Sequence, residues 1–416
     1  MKLLKKENFP LILLSGAIAL SPSFSKGEIA GGRVIEIRIE DILLVILGLV
    51  WFADFLIAGR KKIVKPPLLL PVSIWLGIGL ISVLINLIFM NIELSRGFFY
   101  FLKEVEFFFL YFYLFYHIKN ISSSKCIIKF WIFLGLINVF WVIYKMSKGL
   151  RTLQEYGAGA IGEASVFPSG GFFLILFIFL FNILLFYYLN FRISNLKKMI
   201  LTIMVISPSL GVFSSISRTC FLGIIFSLIL TFLFYSLKKG IIKVFFIGIL
   251  VLIFVGTIFF FVLQKFPVEK RVFAIDYAFS SLRDVRFNIW RSQISEAFEH
   301  SSILNIFLGC GKSIRLTYEE SHSQYVRNFI ETGIIGSLAF FFLIFSIIRK
   351  GLKEFLSNKD PFLTGLSSGV LVSTFTMLFI SIPAEAFIVV KINEVYWFFV
   401  ALTMATSKLY GESQII

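Results

Sequence analysis

Residues 322–348 read HSQYVRNFIETGIIGSLAFFFLIFSII, and this stretch decides the class of fold. It begins with a histidine, passes through a short charged region and ends in an apolar run over residues 338–348. Because the chain has only three histidines, the titratable ring of His322 at the mouth of a membrane helix is a candidate for proton chemistry. The alternative is an interfacial histidine that begins the helix and bonds to a backbone carbonyl.

The composition of the whole chain agrees with that stretch. Of its 416 residues, 58% are hydrophobic and 15% are charged, and the mean hydropathy is +0.91. A soluble globular protein of this length carries far more charge. The prediction is an all-α polytopic membrane protein, with residues 1–416 forming a single integral membrane domain.

A membrane-spanning helix needs about 20 mostly apolar residues, because hydrocarbon offers the backbone no hydrogen-bond partners. About twelve stretches satisfy this criterion. They cover residues 9–20, 41–58, 66–90, 98–118, 127–146, 166–189, 199–213, 217–237, 241–263, 324–348, 361–382 and 385–406. The first is short and follows several lysines, but it ends in a poor cleavage site, so we expect a retained helix and not a signal peptide.

Charge predicts the orientation of these helices. The net charge is +16, and its cations concentrate in alternate loops, such as residues 60–65, 192–198 and 349–359. The positive-inside rule therefore places both termini in the cytoplasm. The basic charge indicates topology and contact with lipid headgroups, not nucleic-acid binding.

Two predicted extracytoplasmic loops are longer than a connection requires. The first covers residues 147–165, and the second covers residues 264–321 and precedes the third-last helix. Within the second, residues 282–298 are patterned as an amphipathic helix. Long loops on a rigid scaffold frequently carry function.

An arginine begins the eighth predicted helix, in the sequence Ser217-Arg218-Thr219. Residues 199–234 contain no acidic residue that could pair with it locally. Arg218 must therefore snorkel to the membrane interface, or meet an anion or a distant partner.

Three more arginines, Arg283, Arg286 and Arg291, flank the apolar stripe of the amphipathic segment. The stripe comprises Phe287, Trp290, Ile294 and Phe298. Such a helix lies on the membrane surface and holds its cations beside lipid phosphates. A solvated polar face is the alternative, although clustered guanidinium groups are also suited to bidentate bonding with phosphate oxygens.

In the helix that follows His322, Arg327 and Glu331 are four residues apart and can pair on one face. Gly333 and Gly336 present small surfaces that let another helix approach. We expect these four residues to support the helix that carries His322. The sequence shows neither a metal-ligand cluster nor a phosphate-binding Gly loop, so we expect no metal and no cofactor.

These residues resemble the signature of the O-antigen ligase and O-antigen polymerase superfamily of bacterial envelopes. The resemblance spans the whole topology and rests on four short motifs. They are His322-Ser323 separated by nine residues from Gly333-x-x-Gly336-Ser337, then Ser217-Arg218-Thr219, then Arg286 with Trp290, and Arg38-Ile-Glu-Asp41-Ile-Leu.

The resemblance implies a metal-independent glycosyltransferase of GT-C-like fold with about twelve helices, in the bacterial inner membrane, whose active site faces the periplasm. Its donor would be a glycan on undecaprenyl pyrophosphate, and its partners a glycan acceptor, membrane lipids and a regulator of chain length. His322 would accept or orient the proton of the attacking hydroxyl. Arg218 and Arg286, helped by Arg283 and Arg291, would hold the pyrophosphate or sugar where other enzymes use a divalent ion.

Three activities remain open from the sequence. A polymerase would join lipid-linked repeat units, and we favour it because the His-Ser-Gln-Tyr stretch and the Ser-Arg-Thr helix are closer to polymerase sequences. An O-antigen ligase would pass the same lipid-linked glycan to lipid A core. A lipid-linked glycan flippase would carry charges deep in several spans and broken helices at matched positions, whereas the unusual charges here cluster on one side.

Overall fold

A computed structural model describes most of the chain. The described residues are 8–29, 33–57, 65–89, 94–148, 159–163, 165–188, 194–240, 286–299, 303–312 and 321–413, with single positions at 242, 246, 248 and 314. Nearly all of the predicted helix over residues 241–263, much of the predicted loop over residues 264–321, and Arg283 lie outside them.

The described part of the chain forms fourteen helices and one two-stranded hairpin. The elements are α1 (Phe9–Leu20), β1 (Ser23–Ile29), β2 (Arg33–Arg38), α2 (Ile39–Ile57), α3 (Leu69–Phe89), α4 (Leu94–His117), α5 (Ile121–Ser147), α6 (Val166–Phe186), α7 (Asn195–Ile206), α8 (Pro208–Ser215), α9 (Arg218–Lys239), α10 (Phe287–Phe298), α11 (Ile303–Leu308), α12 (Gln324–Ser357), α13 (Pro361–Ile380) and α14 (Val390–Ser413).

Local sequence signals set several of these boundaries. The Asp360 carboxylate accepts hydrogen bonds from the backbone N–H groups of Phe362 and Leu363, and Pro361 occupies the first position of α13. Such caps satisfy N–H groups that have no partner within the helix. At its C-terminal end, α9 is capped by Gly240, whose left-handed φ of 66° is favourable for glycine.

The membrane class predicted from composition is confirmed. Among the described residues, seven helical segments are long and apolar enough to cross a membrane, and one of them is the α7–α8 pair, which is interrupted at Ser207 and Pro208. Helix α1 has only 12 residues, about 18 Å of helix, which is shorter than the roughly 30 Å hydrocarbon core.

Some details differ from the sequence prediction. The antiparallel hairpin of β1 and β2, which has a register shift between Ser25 and Glu28, was not expected. The last helix begins at Val390, so residues 385–389 belong to a connecting segment. Helix α14 also buries Lys391 and Glu394 completely, although the sequence analysis identified no buried charges there.

Helices α6 and α13 form the centre of the bundle, and most of their side chains are buried. They approach closely because Gly365 lies against the backbone of Ile183 and Gly369 lies against Phe179. The Asn182 side chain in α6 links three helices, since it donates to Thr231 Oγ1 in α9 (3.1 Å) and accepts from Ser368 Oγ in α13 (2.7 Å). Small residues and polar side chains of this kind hold membrane helices together.

Candidate functional site

The connecting segment between α13 and α14, residues 381–389, organises the surroundings of His322. Glu385 Oε1 accepts hydrogen bonds from both the backbone N–H and the hydroxyl of Ser321, each at 2.7 Å. On the other side of His322, the N–H of Gln324 donates to the carbonyl oxygens of Ser381 and Ala384, both at 3.1 Å. The connecting segment therefore holds the chain immediately before and after the histidine.

His322 itself has a left-handed backbone conformation, with φ of 51°, and its side chain is half-buried. Non-glycine residues rarely adopt this region, and such outliers often occur at functional sites. Helix α10 adds a third restraint, because Trp290 Nε1 donates to the Ser321 carbonyl at 2.7 Å. The histidine thus lies on a short turn that two elements, the connecting segment and α10, hold in place.

A buried ion-pair network lies beneath this turn. Arg327 Nε donates to Glu331 Oε1 at 2.9 Å, which is the pair that their spacing predicts. Arg327 Nη1 donates to Glu385 Oε2. Glu385 therefore joins this arginine to Ser321. Burial by itself raises the pKa of Glu385, but the Arg327 charge and the Ser321 hydrogen bonds outweigh it and hold the pKa below its ordinary value of 4.5.

Arg218 and Arg286 lie within electrostatic range of each other. Arg286 directly precedes α10, and its Nη1 donates to the carbonyl of Pro383 at 2.8 Å. Burial lowers the pKa of Arg286, and the positive charge of Arg218, the first residue of α9, lowers it further. Two guanidinium groups that repel each other in a partly desolvated position favour the binding of an anion between them.

Of the other two predicted cations, the structure describes Arg291. Arg291 lies on the exposed face of α10, in a shallow groove with Glu296 and Glu299. The apolar stripe also differs from its prediction, because Phe287 is 59% exposed, while Ile294 and Phe298 pack on the first half of α12. Arg283 is outside the described residues.

A glycine-rich turn packs against a break in α12. Gly333 has φ of 66° and ψ of −162°, which interrupts the helix. The turn over residues 309–311 fills the interruption, since the N–H groups of Cys310 and Gly311 donate to the carbonyls of Ile330 (2.7 Å) and Glu331 (3.1 Å).

These contacts refine the predicted role of the two helix glycines. A Cβ atom on Gly333 would overlap the backbone of Phe307 at the end of α11, so this glycine does permit close approach of a neighbouring segment. A Cβ on Gly336 would instead meet Thr332 of the same helix. Helix–helix contact therefore explains Gly333 and not Gly336.

Helix α3 completes the packing around the break. Ser82 Oγ donates to the Glu331 carbonyl at 2.6 Å, and Asn86 Nδ2 donates to the Gly309 carbonyl at 3.0 Å. Asn305 Nδ2 in turn donates to Asn86 Oδ1 at 2.8 Å. These side chains supply hydrogen bonds to polar groups that are buried around the break and the turn, because a buried polar group without a hydrogen bond is unfavourable.

The sequence analysis missed several residues of this site. Glu385 is the most important, and the buried pair of Lys312 and Glu104, which lies close enough to interact with Arg327 and Glu331, is another. The signal for Glu385 and Glu104 was present, because an acidic residue within an apolar stretch is costly unless it has a partner. Asp41, Glu106 and Glu394 also lie together elsewhere in the structure, which differs from the expectation that carboxylates do not cluster.

Fold and site together define a multi-pass membrane protein in which one segment, residues 381–389, contacts both the turn that carries His322 and the side chain of Arg286. A family model described as O-antigen ligase matches residues 200–341, a range that includes Arg218, Arg286, His322 and Gly336. Over these residues the chain is similar to the O-antigen ligase family, and the resemblance to the O-antigen ligase and polymerase superfamily is confirmed. A comparison with curated proteins finds no match to this chain.

Proposed function

We propose that this protein is a glycosyltransferase that moves a glycan from undecaprenyl pyrophosphate to an acceptor sugar at the periplasmic face of the inner membrane. The observation that carries the proposal is the connecting segment over residues 381–389. Within three residues, this segment accepts a hydrogen bond from Arg286 at Pro383 and holds the His322 turn through Glu385. Arg286 and the turn that carries His322 are thereby tied to one short segment.

The proposed reaction is direct displacement at the anomeric carbon. An acceptor hydroxyl forms the new glycosidic bond while the bond between the anomeric carbon and the pyrophosphate oxygen breaks, with inversion of configuration. The hydroxyl proton passes to the His322 ring, and the pyrophosphate leaves on its lipid carrier. A positioned histidine is suited to this step, because imidazole exchanges protons near neutral pH.

Arg218 and Arg286 supply the charge that the leaving pyrophosphate requires. Forked guanidinium groups bind phosphate oxygens bidentately, and their charge counters the negative charge that develops as the bond breaks. Arg286 is aimed by its bond to Pro383, and Arg218 by its position at the start of α9. Arg327 and Glu331 support the turn from below and are positioning residues.

Polymerase and ligase share this chemistry and differ in their acceptor. We favour the polymerase, which extends one lipid-linked glycan with another, on the basis of the short motifs around His322 and Arg218. The ligase is the second candidate, because the matching family carries that description. The buried charges of α4 and α14 also suit a flippase, but they do not account for the paired arginines.

A polysaccharide profile distinguishes the polymerase from the ligase. In cells that carry the His322→Ala variant at wild-type membrane level, a polymerase predicts core with a single repeat on a gel. A ligase predicts bare core, with full-length glycan retained on the carrier lipid. The matched control is His117→Ala, at the far end of α4 with its ring stacked on Tyr113, which should leave the profile unchanged. A wild-type profile from His322→Ala would remove the catalytic assignment.

A further inference from the structure

A second group of buried charges lies where the hairpin, α2, α4 and α14 meet. Its carboxylates are Glu40, Asp41, Glu106, Glu163 and Glu394, and its cations are Arg38, Lys103 and Lys391. The group belongs to elements other than those that hold His322, and the proposed glycosyl transfer does not use it.

Part of this group is paired. Arg38 Nη2 donates to Glu163 Oε2 at 3.0 Å. Lys103 Nζ donates to Asp41 Oδ2 at 2.6 Å and to Glu106 Oε2 at 3.1 Å. The second oxygens of Asp41 and Glu106 are buried and have no hydrogen-bond partner among the described residues.

Glu394 makes no hydrogen bond among the described residues. It is 0% exposed, and neither of its carboxylate oxygens has a hydrogen-bond partner in the described structure. Lys391, one turn earlier in α14, is within electrostatic reach, but its ammonium also makes no hydrogen bond there and lies over the Phe172 ring. An isolated buried carboxylate is strongly unfavourable, so Glu394 requires a counter-charge or a proton.

The geometry favours a metal ion over a proton. One carboxylate oxygen each from Asp41, Glu106 and Glu394 lie within 4.8 Å of one another. Calcium holds oxygen ligands at about 2.3–2.6 Å, so ligands on opposite sides of the ion are roughly 4.6–5.2 Å apart. Carboxylate oxygens are also the ligands that hard divalent cations prefer.

The net charge of the group also favours a bound divalent cation. Three cations face five carboxylates, which leaves an excess of two negative charges. One divalent cation neutralises that excess, which would otherwise require protons on two of the carboxylates.

We propose that Asp41, Glu106 and Glu394 bind one divalent cation, calcium or magnesium. The ion joins α2, α4 and α14, and it fixes the start of the helix that follows the connecting segment over residues 381–389. Its role is structural. The proposal does not depend on the glycosyl-transfer function, because the ligands lie outside that site.

Metal binding to the full-length protein in detergent tests this site. After treatment with a chelator and removal of free metal, added Ca²⁺ or Mg²⁺ should raise the melting temperature saturably, by roughly 3 °C at a hundredfold excess over Kd. Na⁺ at equal ionic strength should not reproduce the rise, and elemental analysis should find about one divalent ion per chain. Absence of both the rise and the bound ion would overturn the proposal.

Variants locate the effect. Glu394→Gln should abolish the calcium-dependent rise and the bound ion, and Asp41→Asn should weaken both, so that one well-expressed variant of the two is sufficient. Glu412→Gln is the control in the same helix, because Glu412 is exposed and pairs only loosely with Lys408 at 3.9 Å. A full calcium response in the Glu394→Gln protein would overturn the assignment, since the response would then come from another place.

Discussion

At the residue scale, Glu385 connects more of the site than any residue chosen from the sequence. One carboxylate oxygen accepts two hydrogen bonds from Ser321, and the other accepts one from Arg327. The carboxylate therefore couples the buried ion pair of α12 to the residue immediately before His322. Glutamine in its place could not accept from both sides, because its amide nitrogen only donates.

The pH dependence of this contact has a defined sign. The pKa of Glu385 is below 4.5 in the folded protein, so its contribution to stability is complete at neutral pH and is lost as the pH falls through the folded pKa. We expect Glu385→Gln to be less stable than wild type by about 1–3 kcal/mol, with a constant difference in melting temperature above about pH 5 that shrinks below pH 4.5.

Melting in detergent across that pH range measures the difference. The control is Glu299→Gln, which changes an exposed carboxylate after α10 and should track wild type. Activity should separate Glu385 from a purely structural residue: the kcat of Glu385→Gln should fall while KM for the donor stays near wild type. An equal loss of donor affinity would contradict the positioning role.

The paired arginines lead to a binding prediction. Removing one forked cation from a pyrophosphate typically loses about 1.5–3 kcal/mol, so Arg218→Ala and Arg286→Ala should each weaken binding of a polyprenyl pyrophosphate by roughly 10- to 100-fold. Arg286→Lys should retain only part of the wild-type affinity, because the ammonium group is a point charge and lacks the paired donors of a guanidinium group. Isothermal titration calorimetry with the purified protein measures these affinities.

The control is Arg349→Ala, an exposed arginine near the other end of α12, which should bind the lipid as wild type does. Unchanged affinity in Arg218→Ala would assign that residue to interfacial snorkelling. The same measurement on Arg291→Ala tests whether the exposed face of α10 assists, and its position predicts a much smaller effect than that of Arg286.

At the scale of the element, the break at Gly333 shapes the helix that carries the histidine. The φ and ψ of Gly333 belong to a region that other residues rarely occupy, and the surrounding carbonyls are bonded by the Gly309–Gly311 turn and by Ser82. Because these donors come from two other elements, the turn and α3, the break is specified by tertiary contacts. The helical periodicity of the sequence alone predicts a continuous helix here.

Gly333→Ala should therefore be strongly destabilising. The backbone conformation alone costs a non-glycine residue about 1–3 kcal/mol, and the added Cβ would overlap the Phe307 backbone. The control in the same helix is Gly351→Ala, where the nearest atom is a Leu371 methyl at 3.2 Å, and where alanine favours the helix by up to about 1 kcal/mol.

Thermal melting and the yield of monodisperse protein in detergent compare the two variants. We expect Gly333→Ala to melt lower or to aggregate, and Gly351→Ala to remain near wild type. Equal melting temperatures for Gly333→Ala and wild type would show that the helix does not require its break.

At the scale of the whole molecule, orientation in the membrane decides which compartment the site faces. The distribution of Lys and Arg predicts that His322 faces the periplasm, and the exposed positions Ser165 and Lys359 lie on opposite sides in that topology. In a background without the natural cysteines, Ser165→Cys should react with a membrane-impermeant thiol reagent on intact spheroplasts. Lys359→Cys should react only after permeabilisation, and the reverse pattern would place the site in the cytoplasm.

Much of the fold could be predicted because each helix carries its own signal. Long apolar runs, together with caps such as Asp360 and end glycines such as Gly240, locate α13 and α9 to within a few residues. The β1–β2 hairpin was missed although Ile35, Ile37 and Ile39 alternate with charged residues as in a half-buried strand, because β1 carries no such alternation that would reveal its partner. The start of α14 was placed too early because residues 385–389 are apolar enough to continue a helix.

The candidate site could be predicted only in part. The sequence analysis found His322, Arg218 and Arg286 because charged or titratable residues are conspicuous in an apolar chain. The family motifs also include these three residues. Glu385 was not assigned, since no local pattern reveals that it bonds to Ser321, 64 residues earlier in the chain. The cluster of Asp41, Glu106 and Glu394 was missed for the same reason, as its members come from three separate helices.

By itself, the sequence determined the membrane class, most helix positions, and the resemblance that leads to lipid-linked glycan transfer. These properties depend on local hydrophobicity and on short motifs, and neither depends on how the helices pack against one another. Only the tertiary structure decided which charges meet: Arg286 with Arg218, Glu385 with Arg327, and Glu394 with its neighbouring carboxylates. A buried charge needs a partner, and in each of these cases the packing supplies one that lies far away along the chain.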